Sequence, residues 1–351
     1  MRRYRSNPLC MKVAPCLVSA LAVLQICGCG GAVTSPAVPS PTGGGSLQQN
    51  IVSAPVLGFA WDSKALALRE IDGVPGAARV DASAGSGAGF ATAVAAGSRA
   101  YALLLDSKGA LYLTLLPGGV PRQLASGPWS GLAISASGEY AIAYSATGAA
   151  SEVIGGLPQQ PALRSADVQG IGIAAAAVSD TGAVLLATKP GGSGTGILAI
   201  APGAVSASRV LSLGAMGGLA FVPGTDRALV ADAATGTVTQ LDHVSGVPTP
   251  SLLSGSTLPK SVGLDVSADG RWVLMANGSG TIVRLDLNGQ TPPSSTKCNC
   301  APTTVANLSG SAFRLTDVGS STGWMVEAGG NSPRVLFIPA LPGQKIAGGG
   351  Q

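Results

Sequence analysis

Short apolar runs separated by turn residues recur along residues 51–341. The clearest copy extends from Ser267 to Asp286 and contains an Asp-Gly turn at 269–270, an apolar run, a second turn at Gly280 and another apolar run. Asp-Gly favours a tight turn because both residues tolerate positive φ. Helical spacing of apolar residues is weak after residue 50, where Gly or Pro interrupts every candidate helix. The pattern therefore predicts short antiparallel strands.

A similar turn follows an apolar run at six other places in the chain. The seven turn positions are Lys64, Ser98, Gly138, Gly182, Asp226, Gly270 and Gly323, with spacings of 34, 40, 44, 44, 44 and 53 residues. Four short strands with their turns need about 40–45 residues, which is the period of a propeller blade. The sequence therefore predicts an all-β fold, a β-propeller of seven four-stranded antiparallel blades, with six or eight blades as the alternatives.

The last blade departs from this period. We expect residues 312–315 to form its innermost strand, and residues 288–302 to be an insertion that lengthens the final spacing to 53. Only three strands are then found for this blade, so residues 47–53 are expected to supply the fourth. Such an exchange would leave no open strand edge where the ring closes.

The copy at 267–286 resembles the YVTN-type, NHL-like propeller repeat of surface-associated bacterial and archaeal proteins, and residues 221–242 resemble it less closely. This resemblance implies a propeller fold and a location in the cell envelope. It implies no single activity, because propellers include lactonases, quinoproteins, ligand-binding proteins and scaffolds.

Residues 1–28 have the pattern of an export signal. The apolar stretch 13–24 is too short for a membrane span and follows a basic segment. The basic residues of that segment are Arg2, Arg3, Arg5 and Lys12. The sequence Ile26-Cys27-Gly28-Cys29 resembles a bacterial lipobox, which implies lipidation of Cys29. The alternative is ordinary signal cleavage nearby.

Residues 29–50 are rich in Pro, Gly, Ser and Thr and carry no charge, so we expect a flexible tether. The propeller domain is then expected at 51–341, followed by a flexible Gly-rich tail at 342–351. The leader and the tether together predict an exported protein that an N-terminal lipid anchors in the cell envelope, in the periplasm or on the cell surface.

The formal net charge of +4 comes from the leader. From residue 29 onward, 17 basic residues balance 17 acidic residues. A neutral body lacks the basic surface expected of a nucleic-acid-binding protein, so no nucleic-acid partner is predicted.

The acidic residues form no obvious catalytic pair, so the candidates for catalysis or metal binding are few. His243 is the single histidine and follows a strand end, where an exposed loop residue is expected. Asp265, with Asn277, is a candidate for a cation site in the central channel, and the alternative for Asp265 is a hydrogen-bonded turn residue. Cys298 and Cys300 are expected to form a disulfide that stiffens a loop; the alternative is a redox-active or soft-metal pair.

The motifs of several catalytic and binding sites are missing from the sequence. It contains no Asp-x-Asp-x-Asp calcium loop and no Gly-x-x-x-x-Gly-Lys phosphate loop. The sequence therefore predicts an envelope-anchored binding or scaffold module, without a cofactor, that takes a protein or small-molecule ligand on a propeller face. One alternative is a metal-dependent enzyme of the lactonase or sugar-acid hydrolase type, with a cation in the central channel. Another is a purely structural surface component.

Overall fold

The computed structural model describes residues 54–81, 89–168, 170–191, 194–253, 258–318 and 322–339. Within these ranges the regular structure is antiparallel β-sheet, apart from one short 3-10 helix at Gly97–Arg99. The strands are β1 Val56–Asp62, β2 Ala67–Asp72, β3 Arg79–Val80, β4 Phe90–Ala96, β5 Tyr101–Asp106, β6 Leu111–Leu115, β7 Arg122–Ala125, β8 Gly131–Ile134, β9 Ala141–Tyr144, β10 Ser151–Gly155, β11 Ala162–Ser165, β12 Ile173–Val178, β13 Val184–Thr188, β14 Thr195–Ile200, β15 Ser208–Leu213, β16 Met216–Phe221, β17 Ala228–Asp232, β18 Val238–Asp242, β19 Thr249–Leu253, β20 Ser261–Val266, β21 Trp272–Asn277, β22 Thr281–Asp286, β23 Ser294–Lys297, β24 Ala306–Ser309, β25 Ala312–Arg314, β26 Gly323–Glu327 and β27 Arg334–Ile338.

Consecutive strands form seven sheets, which are the blades. Blades 2 to 7 contain four strands each and begin with β4, β8, β12, β16, β20 and β24. Blade 1 contains β1, β2 and β3 within the described residues, and the residues that follow it at 82–88 lie outside them. The structure confirms the predicted seven-bladed β-propeller.

The first strand of each blade lies at the centre of a closed ring. First strands of neighbouring blades contact each other around the ring, including β24 of blade 7 with β1 of blade 1. Because the strands of a blade are antiparallel, its connections alternate between the two ends of the ring. We call the end where the first strands begin the upper face; it carries the second-to-third connections and the links between blades. The lower face carries the first-to-second and third-to-fourth connections.

The structure corrects the predicted order of strands in the last blade. Its first strand is β24, and the turn after it is at Gly310, which lies 40 residues after Gly270. The expected innermost strand at 312–315 is instead the second strand of the blade, and the expected turn at Gly323 begins the third. β24 reads Ala-Asn-Leu-Ser and has no continuous apolar run, so the sequence pattern missed it as the first strand. The next turn along the chain was then counted instead, and the predicted spacing of 53 is wrong.

Two further expectations about the end of the chain are also wrong. Residues 288–302 are not an insertion, since they include β23, the outer strand of blade 6. Residues 47–53 are not needed to complete blade 7, because β24 to β27 fill all four of its positions; the segment itself lies outside the described residues. The ring closes instead by apolar packing, in which Leu57 and Ile71 of blade 1 share a buried cluster with Met325 and Ile338 of blade 7.

The second strand of a blade is buried on both sides, because each blade packs between two others. Tyr101 to Leu105 on β5 are at most 1% exposed, and Val273 to Ala276 on β21 are fully buried. This explains why these strands read as continuous apolar runs rather than alternating ones. In the described part of the chain, no helix has the length and apolarity to cross a membrane.

Candidate functional site

Aspartates at strand ends bind the backbone of nearby turns. Asp232, at the end of β17, accepts hydrogen bonds from three backbone N–H groups at 2.9 to 3.1 Å. Partial burial opposes ionisation, but these donors together with Thr235 hold the pKa of Asp232 below its ordinary value. Asp62, Asp106 and Asp286 accept backbone N–H groups of their own turns in the same way. These carboxylates therefore stabilise turns.

Asp265 links two blades from its position on β20, the first strand of blade 6. One carboxylate oxygen accepts the N–H of Val266 at 2.8 Å, and the other accepts the N–H of Asn307 on β24 at 2.6 Å. Burial raises the pKa of this carboxyl to about 6, and the two hydrogen bonds act in the opposite direction. Both oxygens of Asp265 are therefore used in joining blade 6 to blade 7.

Asn277, the other candidate for a channel cation site, caps the turn that follows β21. Its Oδ1 accepts the backbone N–H groups of Ser279 and Thr281 at 3.2 and 3.0 Å, and the Ser279 hydroxyl at 2.8 Å. It lies on the second strand of the blade, whereas Asp265 lies on the first. Among the described residues, no group of three or more His, Cys, Asp or Glu side chains is placed to hold a metal ion. The placement of Asp265 and Asn277 gives the enzyme alternative no support.

His243 lies on the lower face, in the connection that follows β18. Its side chain is exposed, and its backbone has a positive φ of 59°. The adjacent Val244 is buried and donates its N–H to the Asp226 carbonyl at 3.2 Å. The structure thus places the single histidine on a surface turn.

Cys298 and Cys300 lie directly after β23 on the upper face and are joined by a disulfide. The N–H of Cys298 donates to the carbonyl of Gly280 at 2.9 Å, so this short loop covers the second turn of its blade. Gly280 has a φ of +83°, and a Cβ there would lie 2.6 Å from the Cys298 carbonyl oxygen. These contacts fasten the loop to the turn. The other cysteine singled out by the sequence, Cys29, lies outside the described residues.

Sequence reasoning missed a tie between three blades on the lower face. Asp180, in the first turn of blade 4, accepts the N–H of Ser137 in blade 3 at 2.7 Å and that of Gly224 in blade 5 at 2.8 Å. The equivalent positions in two other repeats hold Ala136 and Ala268. An aspartate at a turn position where other repeats have alanine could have indicated from the sequence that Asp180 links blades.

The channel opening on the upper face carries exposed apolar side chains. Within the described residues, five of the first strands have a bulge close to their start. The bulge residues Ala91, Ala174 and Val262 are exposed, as is Val56 at the beginning of β1. The exposed fractions of Val56 and Val262 are 48% and 40%. We call these four residues the upper mouth.

Four exposed lysines lie on the upper face. Lys108 and Lys189 lie on second-to-third connections, Lys260 lies on the link into blade 6, and Lys297 ends β23. Asp106, on the same face, has its carboxylate bound to backbone N–H groups at 2.8 Å. Asp317 is also exposed on this face and pairs with Arg314, so the upper face combines an apolar centre with charged side chains of both signs.

Comparison with known proteins shows similarity of fold. No family model matches the sequence, and no curated protein matches it. A protein from Lactobacillus plantarum matches with a TM-score of 0.55 and 12% identity, over 80% of this chain and 95% of that one. Kuenenia stuttgartiensis hydrazine synthase matches with a TM-score of 0.54 and 12% identity, over 83% and 99% of the two chains. Apo AztD from Citrobacter koseri matches with a TM-score of 0.52 and 11% identity, over 81% of this chain and 82% of that one. At these identities the likeness concerns the propeller fold alone.

Proposed function

We propose that this protein is an exported binding or scaffold module, anchored in the cell envelope, that takes a protein or small-molecule partner on its upper face. The observation that carries the proposal is the exposed apolar upper mouth with Lys108, Lys189, Lys260 and Lys297 on the same face. Apolar contact contributes free energy of binding, and the lysines favour a ligand that also carries negative charge.

The rigidity of the ring supports a binding role. Asp180 ties three blades on the lower face, and Asp265 joins blades 6 and 7 through β24. A surface whose supporting elements are fixed before binding loses less conformational entropy when a ligand arrives. The loops of the upper face are therefore presented on a preorganised frame.

The leader supports the envelope location. Basic residues, a short apolar stretch and the lipobox-like Ile26-Cys27-Gly28-Cys29 precede an uncharged segment rich in Pro and Gly. A lipid on Cys29 followed by a flexible tether would allow the propeller to reach partners above the membrane surface.

The test is chemical cross-linking in the native envelope with charge-reversal variants of the two faces. We expect the double variant Lys108→Glu with Lys189→Glu to lose the partner that the unmodified protein captures, because both changes reverse charge on the upper face. The matched control is Lys64→Glu with Arg122→Glu, which reverses two exposed charges on the lower face and should leave capture unchanged.

Two results would contradict the proposal. Equal loss of capture in both double variants would show that the upper face has no particular role. In the same preparations, a Cys29→Ser variant is expected to leave the detergent phase for the aqueous phase, and unchanged partitioning would refute the lipid anchor.

A further inference from the structure

Arg284 is a buried cation that forms no ion pair with a carboxylate among the described residues. It lies on β22, the third strand of blade 6, and is only 1% exposed. Its guanidinium stacks on the Trp272 ring at 4.3 Å from the ring centroid. The nearby carboxylate of Asp286 is bound instead by Arg271, at 2.9 and 3.3 Å. A guanidinium stays protonated in proteins, and a buried charge is costly unless other groups compensate it.

The partners of Arg284 are carbonyl oxygens from the next blade. Its Nη atoms donate to the carbonyls of Ala328, Gly330 and Asn331 at 2.8, 3.0 and 3.1 Å. These residues belong to the third-to-fourth connection of blade 7, on the lower face; we call residues 328–332 the carbonyl loop. The Nε of Arg284 has no acceptor among the described residues. The guanidinium therefore orients the peptide groups of the carbonyl loop without neutralising its charge.

The direction of these carbonyls fixes the direction of the neighbouring N–H groups. In a trans peptide unit, the C=O of one residue and the N–H of the next point in opposite directions. Because the carbonyls of Gly330 and Asn331 point at Arg284, the N–H groups of Asn331 and Ser332 point away from it. Neither N–H group has an acceptor within the described part of the chain. The positive ends of two aligned peptide dipoles thus face outward.

Asn331 and Ser332 line an open cavity of about 350 Å³. Its lining consists of Glu327, Gly329, Gly330, Asn331, Ser332 and Arg334. Arg334 is exposed and has no ion pair among the described residues. Glu327 uses one oxygen to accept the Ser311 hydroxyl and the N–H of Gly329, the latter at 3.0 Å. Two guanidinium groups, one behind the loop and one in front, therefore outnumber one carboxylate.

We propose that the carbonyl loop and Arg334 form a binding site for a small oxyanion, a phosphate or a carboxylate group. The anion would accept hydrogen bonds from the N–H groups of Asn331 and Ser332 and from the Arg334 guanidinium, with the buried charge of Arg284 behind the loop. Aligned backbone N–H groups with a nearby cation are an established arrangement for binding anions. The site lies on the lower face and is separate from the upper mouth.

The test is an NMR titration of the isotope-labelled full chain with inorganic phosphate and, separately, with acetate, each against chloride at equal ionic strength. We expect the amide signals of Asn331 and Ser332 to shift saturably, and the more tightly bound probe identifies the chemistry of the natural ligand. Arg334→Gln should weaken binding about tenfold, because it removes a charged hydrogen-bond donor. Arg209→Gln is the matched control, since it removes an exposed guanidinium from the outer strand of blade 4.

Thermal unfolding of both variants checks that their folds are intact. The proposal is overturned if neither probe shifts these two amide signals more than chloride does. It is also overturned if Arg209→Gln weakens binding as much as Arg334→Gln, because the effect would then reflect net charge and not a site.

Discussion

Asp265 illustrates how single carboxyl groups are used in this propeller. It is the acidic residue that the sequence placed on an innermost strand, and a cation site was one explanation for it. In the structure its two oxygens accept the N–H groups of Val266 and Asn307. The repeat predicted the strand on which Asp265 lies, but the group opposite its carboxylate comes from a different blade, 42 residues away.

The raised pKa of Asp265 predicts a dependence of stability on pH. Burial raises its pKa to about 6 in the native state from 3.8, so the native state binds a proton more tightly than the unfolded chain. Stability therefore falls as pH rises through the range from about 4 to about 6, by up to about 3 kcal/mol, and is constant above it. Asp265→Asn cannot ionise and lacks this component.

Urea unfolding of the two proteins at several pH values measures this effect. We expect the stability of Asp265→Asn relative to the unmodified protein to increase from pH 4 to pH 7, whatever the constant cost of placing an amide opposite two N–H groups. A relative stability that does not vary with pH would refute the prediction.

Turns are the elements that the sequence predicted best. Ser135, Ser179 and Ser267 occupy equivalent places after the first strands of blades 3, 4 and 6, and each hydroxyl accepts a backbone N–H of its own turn. The signal is strong because these contacts are local. The turn at Gly310 was not predicted. It joins two short strands, and only its distance of 40 residues from Gly270 indicates its place in the repeat.

Two glycines of blade 5 allow the cost of a positive φ to be measured separately from the cost of a steric clash. Gly224 and Gly236 both have positive φ, of 67° and 78°. A Cβ on Gly236 would lie 2.5 Å from the backbone nitrogen of Pro259, whereas a Cβ on Gly224 would meet nothing within 4 Å. Gly224→Ala should cost about 1–2 kcal/mol of stability from strain alone, and Gly236→Ala should cost clearly more. Denaturant unfolding measures both, and equal losses would contradict this account.

At the scale of the whole molecule, the ring closes through packing between blades 7 and 1. Leu57 and Ile71 meet Met325 and Ile338 in one buried cluster, and β1 contacts β24. Exchange of a strand across this junction is therefore not required for closure. The junction uses the same apolar contacts as the others around the ring, such as the cluster of blades 5 and 6 that contains Met275.

We expect the closing junction to unfold together with the rest of the ring. Met325 at the junction and Met275 away from it are both fully buried. Met325→Ala and Met275→Ala should each lower the free energy of unfolding by about 2–5 kcal/mol, in a single transition, because each leaves a cavity between two blades. An earlier separate transition in Met325→Ala, seen by tryptophan fluorescence, would show that the junction opens independently.

The sequence by itself determined the features that depend on neighbouring residues: the short strands, the turns between them, and the period that indicates a seven-bladed ring. Only the tertiary structure decided which groups meet across blades. Asp180 binds backbone groups 43 and 44 residues away, and Arg284 binds carbonyls 44 to 47 residues away. Such partners lie about one repeat apart, and their contact depends on how each blade is rotated against the next. That rotation is set by the packing of buried side chains around the whole ring, which no local pattern records.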